Sequence, residues 1–417
     1  MAQNYQNLIK ENQQEIRVMN GMRFITAFHV IIVHVVFFKV LAGISNIRDI
    51  EENSAGVLSL FWHLDILVDT FFAMSGLLHI KGLLANSDKH QNLFMVLWKR
   101  YIRLIGPLAL VIFYMAAVSE YTGSGPIWQN YVDIEPGVCR KNWPLSLLMM
   151  NSDTQDVCPS VTWYLSVDYQ LTILVTIIFY FYWRDRRIGL VVFGTAAIFS
   201  LIIPAALTYL YQLPAIHFLD IGKALKEGRK HMEIRYTYST SHSRAGAYLV
   251  GVAMGYLMTL YKPADFRKTV SKTWSIVGTA TCLAVMVDLL ALGQFYIGRD
   301  YRPLEVAVVA ATNRVVWAVA VCCIIGLCEY GTVPLVTDFL GLTIFTPLSR
   351  LSYNIYLIHA IVIVRNQFSL RNQWKFDMFY ILTEAMGTLV ITLVLSLVMW
   401  FLVEAPMINF ANQLFSA

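Results

Sequence analysis

Long apolar runs separated by short polar and basic connections set the pattern of this chain. Each run approaches the roughly 20 residues that an α-helix needs to cross a bilayer. Together they predict about ten spans, at 22–42, 57–80, 100–118, 161–182, 188–210, 243–260, 272–293, 304–328, 350–366 and 377–402. Backbone groups in lipid must be satisfied within a helix or a closed barrel, and these runs are too long and too uniformly apolar for barrel strands. The expected fold class is therefore all-α, a polytopic integral membrane protein. A short polar stretch at 1–20 precedes a membrane domain at 21–406, and a tail follows at 407–417. Pro107, Pro204 and Pro303 fall at span ends or kinks.

Composition agrees: of 417 residues 57% are hydrophobic and 14% charged, with mean hydropathy +0.56, against roughly 25% charged in soluble domains. The net charge of +5 does not point to nucleic acid, because Lys and Arg collect in short connections, as orientation signals do. Lys89, Lys99, Arg100 and Arg103, then Arg184, Arg186 and Arg187, then Lys262, Arg267, Lys268 and Lys272 belong on the cytosolic side. Both termini join them there. The opposite side receives 45–56 with Asp49, Glu51 and Glu52, the long segment 119–160, and the segment 211–242. That last segment is basic, with Lys223, Lys226, Arg229, Lys230 and Arg235, and runs against the trend. Met1 to Val18 is polar and mixed in charge, so the first span would also serve as the insertion signal.

Of six cysteines, Cys282, Cys322, Cys323 and Cys328 sit in apolar spans, where a small buried thiol is the ordinary reading. Cys139 and Cys158 lie in the polar outer segment. A bridge between them would close about 20 residues and stabilise that loop by roughly 3 kcal/mol.

Ionisable groups inside spans are costly and mark function more often than not. Arg23 and His34 of the first span stand eleven residues apart. At about 100° and about 1.5 Å per residue the step is within about 20° of whole turns, so both share one face roughly 16 Å apart. Arg23 lies at the cytosolic mouth and His34 near the midplane. His359, nine residues beyond Arg350, reaches similar depth. Asp69 and Arg314 also fall near the midplane, Asp168 and Arg244 nearer the outer face. A structural ion pair fixing helix register is the ordinary reading for Asp69, Asp168 and Arg314. Local packing serves for His29, interfacial placement for His63 and His79, and helix ending for Glu404 before Ala405-Pro406.

A neutral imidazole near the midplane suits general-base work on an alcohol attacking a thioester, and an arginine at the mouth suits phosphates. The chain contains no phosphate loop, no H-E-x-x-H zinc site, no G-x-S-x-G elbow and no Rossmann glycine fingerprint. A primary pump, a zinc protease and a serine hydrolase all lose ground.

An ordered set of motifs runs from residue 20 to 406: Asn20-Gly21-Met22-Arg23 with His34, Val68-Asp69-Thr70-Phe71-Phe72, Arg100-Tyr101-Ile102-Arg103-Leu104, Thr162-Trp163-Tyr164-Leu165-Ser166-Val167-Asp168, Arg244-Ala245 leading to Tyr248-Leu249-Val250-Gly251, Arg350-Leu351-Ser352-Tyr353 through His359, and Glu404-Ala405-Pro406. The set resembles the membrane acyltransferase-3 family, in its animal branch typified by the nose resistant to fluoxetine protein. The resemblance implies ten membrane helices and transfer of an acyl group from cytosolic acyl-CoA to a hydroxyl on a lipid, sugar or other acceptor. It implies that Arg23 and His34 are the catalytic pair, that Arg100 and Arg103 hold the donor's phosphates, and that His359 is the family's span-nine histidine. Asp69, Asp168, Arg244 and Arg314 are the further candidates for substrate binding, and Cys139 and Cys158 are similar to the loop cysteines of the animal branch. No metal and no bound cofactor is expected. The partners are membrane lipids, acyl-CoA and the hydroxyl-bearing acceptor, in the plasma membrane or endoplasmic reticulum. A lipid or drug uptake protein keeping the same fold without turnover is the alternative.

Three departures stand out. Animal members carry an extracellular domain and a further span where this sequence has about twenty polar residues. Val33 stands where glycine is common, beside His34, and is expected to narrow access to it. His29 replaces a common aromatic.

Overall fold

In the computed structural model the described residues are 2–10, 15–46, 48, 63–85, 92–153, 157–217, 234–266 and 268–414. Asp49, Glu51, Glu52, Lys89, Lys223, Lys226, Arg229, Lys230, Arg267 and the beginning of the second expected span lie outside them. The described chain is helical throughout, and its one β-bridge joins Ile44 to Trp374. The elements are α1 (Ala2–Ile9), α2 (Arg17–Ala42), α3 (Val68–Ala85), α4 (Leu93–Phe113), α5 (Trp128–Ile134), α6 (Pro136–Leu147), α7 (Trp163–Arg184), α8 (Arg186–Tyr211), α9 (Ser241–Leu260), α10 (Lys272–Tyr296), α11 (Pro303–Tyr330), α12 (Pro334–Leu340), α13 (Phe345–Phe368), α14 (Met378–Met399) and α15 (Ala405–Leu414).

Among the described residues nine helical stretches are long and apolar enough to cross a membrane. The tenth expected span forms as α9, but Arg244, serines and glycines dilute its apolar character. Protein replaces lipid around it. Gly251 lies against the backbone of Ala73, and Gly76 of α3 lies against the carbonyl of Tyr248, so α3 and α9 approach backbone to backbone. Small residues permit this close approach, which is how helices associate in lipid without a hydrophobic drive. Counting α9 makes the crossings even. Accordingly the two ends of the chain meet, Asn409 Nδ2 donating to Asn4 Oδ1 at 3.2 Å.

The helices form two groups. One core joins α2, α4, α13 and α14 around Val35, Leu108, Leu357 and Ile363. The other joins α3, α7, α9 and α11 around Phe72, Val175, Tyr248 and Ala318. By contrast α8 and α10 are peripheral, with most of their apolar windows facing outward. The outer segment is itself helical, as α5 and α6, and is closed by a Cys139–Cys158 disulfide. Its last residues fold back along the bundle, where Leu147 O accepts from Tyr101 Oη at 3.0 Å.

Candidate functional site

Between the two groups lies a cavity of about 340 Å³ whose walls come from α2, α3, α4, α7 and α13. The eleven-residue step along α2 brings Arg23 and His34 into it together. His359 Nε2 of α13 lies 3.2 Å from His34 Nδ1, with the rings 4.9 Å apart and tilted edge-on. Backbone carbonyls decide the protons. His359 Nδ1 is 3.1 Å from Ile355 O, and a carbonyl only accepts, so that nitrogen carries hydrogen and Nε2 offers a lone pair. His34 Nδ1, 2.9 Å from Val30 O, then donates towards both neighbours. The pattern leaves Nε2 as the basic nitrogen of His34.

Four arginines line the same cavity: Arg23, Arg100, Arg103 and Arg350. Arg23 Nη1 donates to Ser349 Oγ at 3.0 Å, and no carboxylate among the described residues lies within ion-pair distance of it. Arg100 pairs with Asp168 and donates to Ser75 Oγ at 3.0 Å. Arg103, with its side chain 52% exposed, stands 3.4 Å from the buried Glu404. Glu404 closes the π-helical turn Trp400–Glu404 that follows α14 and also accepts from Asn354 at 2.9 Å. Tyr164 and Tyr356, rings 5.4 Å apart, form the wall beside His359, and Tyr356 Oη donates to Val161 O. Ser349, Tyr164, Tyr356 and Arg350 were not singled out by spacing, because only the packing of α13 against α2 and α7 brings them in.

Asp69, Arg244 and Arg314 are gathered elsewhere. Arg244 Nη1 donates to Asp69 Oδ2 at 2.7 Å, and Arg314 Nη2 lies 3.4 Å from Asp65 Oδ2 and 2.8 Å from His217 Nε2. This buried ion cluster stands directly behind the cavity, with the Arg244 guanidinium 5.2 Å from the Trp163 ring and 5.1 Å from that of Tyr238. Both rings line the cavity. Asp65 completes the cluster, and the polar lead-in His63-Leu64-Asp65 was the signal for it. Val33 packs towards the core around Trp317 and is absent from the cavity wall, so the expected narrowing beside His34 does not arise. His29 Nδ1 bonds its own helix at Ile25 O, 2.8 Å away.

A family described as an acyltransferase domain matches residues 16–404. The chain belongs to the acyltransferase-3 family. Among curated acyltransferase-3 relatives, Nose resistant to fluoxetine protein 6 of Caenorhabditis elegans is 24% identical over 394 residues, covering 85% of this chain and 46% of the relative. Regulator of hypoxia-inducible factor 1, from the same organism, is 23% identical over 363 residues, covering 83% of this chain and 69% of the relative. The chain thus spans about half the length of the first relative. No solved structure matches this acyltransferase-3 chain.

Proposed function

We propose that this acyltransferase-3 protein moves an acyl group from acyl-CoA to a hydroxyl-bearing acceptor, with His34 as general base. The observation that carries the reading is one cavity lined by four arginines and by His34, with His359 standing behind His34 at 3.2 Å. The arginine end faces the cytosol, and the disulfide-closed segment faces the opposite side. Phosphates of the donor bind at Arg23, Arg100 and Arg103, whose guanidinium forks match phosphate oxygens. The thioester extends towards His34. There Nε2 takes the hydroxyl proton as the oxygen attacks the thioester carbonyl. A carbon–oxygen bond forms, the carbon–sulfur bond breaks, and the departing thiolate takes the proton from the imidazolium. No acyl-enzyme is formed.

The test incubates purified protein with labelled acyl-CoA and a lipid extract. Wild type should release free CoA and label an acceptor, and His34→Ala should lower the rate by about 10²–10⁴-fold. Absence of CoA release from wild type, with solute uptake persisting in His34→Ala, would replace acyl transfer by the uptake reading.

A further inference from the structure

The arginines of the cavity carry four positive charges, and among the described residues three carboxylates sit against them: Asp168 on Arg100, Glu404 near Arg103 and Glu15 on Arg350. Resting on the acyl-CoA reading, a donor with a diphosphate and a further phosphate meets a site whose charge is already largely compensated. Phosphates bind at full strength only where a carboxylate gives way. Asp168 and Glu404 cannot readily do so, because their side chains are 5% and 0% exposed and belong to α7 and the end of α14. Glu15 differs. It precedes α2, is 33% exposed, and reaches Arg350 Nη2 at 2.8 Å from outside the bundle. Arg350 Nη1 also donates to Leu8 O at 3.1 Å. Its neighbour Ser349 holds Arg23, the arginine that has no carboxylate of its own among the described residues. Arg350 and Arg23 therefore stand side by side at the mouth, one compensated by Glu15 and the other open.

We infer that Arg350 is a fourth phosphate-binding residue of the donor site, and that Glu15 is its exchangeable counter-ion, displaced when the polyanionic donor binds. The exchange involves no covalent change. A partly exposed pair of this kind, 21% and 33% accessible, holds weakly, whereas a guanidinium–phosphate contact is charge-assisted and two-pronged.

Isothermal titration of the detergent-purified chain with CoA, and separately with inorganic pyrophosphate, tests it. Glu15→Gln removes the competitor and should tighten CoA binding about two- to fivefold. Arg350→Gln should weaken it about tenfold or more. In the Arg350→Gln background, Glu15→Gln should have no further effect, which separates exchange at this arginine from a general loss of negative charge. Unchanged melting temperatures in both variants keep folding out of the comparison. Wild-type CoA binding that neither variant alters, or a Glu15→Gln gain that persists without Arg350, overturns the inference and leaves the donor reading standing. Pyrophosphate binding that depends on both residues, with no binding of CoA, does the reverse. Binding of neither ligand overturns both.

Discussion

At the scale of single residues, backbone carbonyls fix the protons of His34 and His359 so that His34 Nδ1 donates towards His359 Nε2. Replacing His359 by Leu removes the acceptor that faces His34 Nδ1, so kcat should fall about 10²-fold or more while the donor KM stays near wild type. His359→Gln should recover part of the loss, since an amide oxygen can accept the same hydrogen bond. Equal loss in both variants would reduce His359 to packing. The arginines divide in a similar way. Arg103→Ala should weaken CoA binding with only a small fall in melting temperature, because its contact with Glu404 is long at 3.4 Å and Asn354 still donates to that buried carboxylate at 2.9 Å. Arg100→Ala should weaken binding and lower the melting temperature further, since it strands the buried Asp168 at a cost of about 1–3 kcal/mol. Thermal unfolding beside CoA titration measures the difference, and equal melting temperatures for the two variants would argue against it. The shared face of Arg23 and His34 was legible in the sequence because helical period is a local property. The Arg23–Ser349 contact bridges 326 positions, and such distant pairings leave no local trace. For the same reason the gathering of Asp69 and Arg314 with Arg244 around Asp65 left no trace in span counting.

At the scale of elements, α3 and α9 are held by absence of side chain where Gly251 meets the Ala73 backbone. A side chain at that point has nowhere to go but into a carbonyl, and neither helix can shift without disturbing the Arg244–Asp69 pair on the same face, two turns along α9 and one along α3. Gly251→Leu should cost about 1–3 kcal/mol or prevent folding. Gly194 on the peripheral α8 meets nothing within 4 Å, so Gly194→Ala should stay within about 0.5 kcal/mol. Fluorescence-detected melting in detergent compares them, and equal sensitivity at the two glycines would contradict backbone contact as the cause. Helix α9 also shows where apolar pattern stops being a guide. Its length is that of a span, but a helix surrounded by protein need not be as apolar as one surrounded by lipid, so its crossing is carried by packing and not by hydropathy.

For the whole molecule, the contact between Asn4 and Asn409 requires an even number of crossings and puts both ends on one side. The disulfide is buried in the core just ahead of α7, whose first residues Trp163 and Tyr164 line the cavity. Persistence of the disulfide requires an oxidising compartment, so we propose that the segment carrying Cys139 and Cys158 faces the extracellular or luminal side and the arginine end of the cavity faces the cytosol. Both cysteines are fully buried, so the labelling site is placed instead at Tyr121, which is 78% exposed in the same segment. In intact cells exposing the protein at their surface, an impermeant maleimide should label the Tyr121→Cys variant and leave the parent chain unlabelled. Tags on the two ends should become accessible to antibody only after permeabilisation. Absence of labelling in Tyr121→Cys, or tags reached without permeabilisation, would invert the orientation and move the arginine mouth away from the cytosolic supply of acyl-CoA. A Cys139→Ser, Cys158→Ser double variant should also lose about 3 kcal/mol of stability from a bridge of sequence separation 19, because the segment it closes buttresses the wall against which His359 and Tyr356 are set.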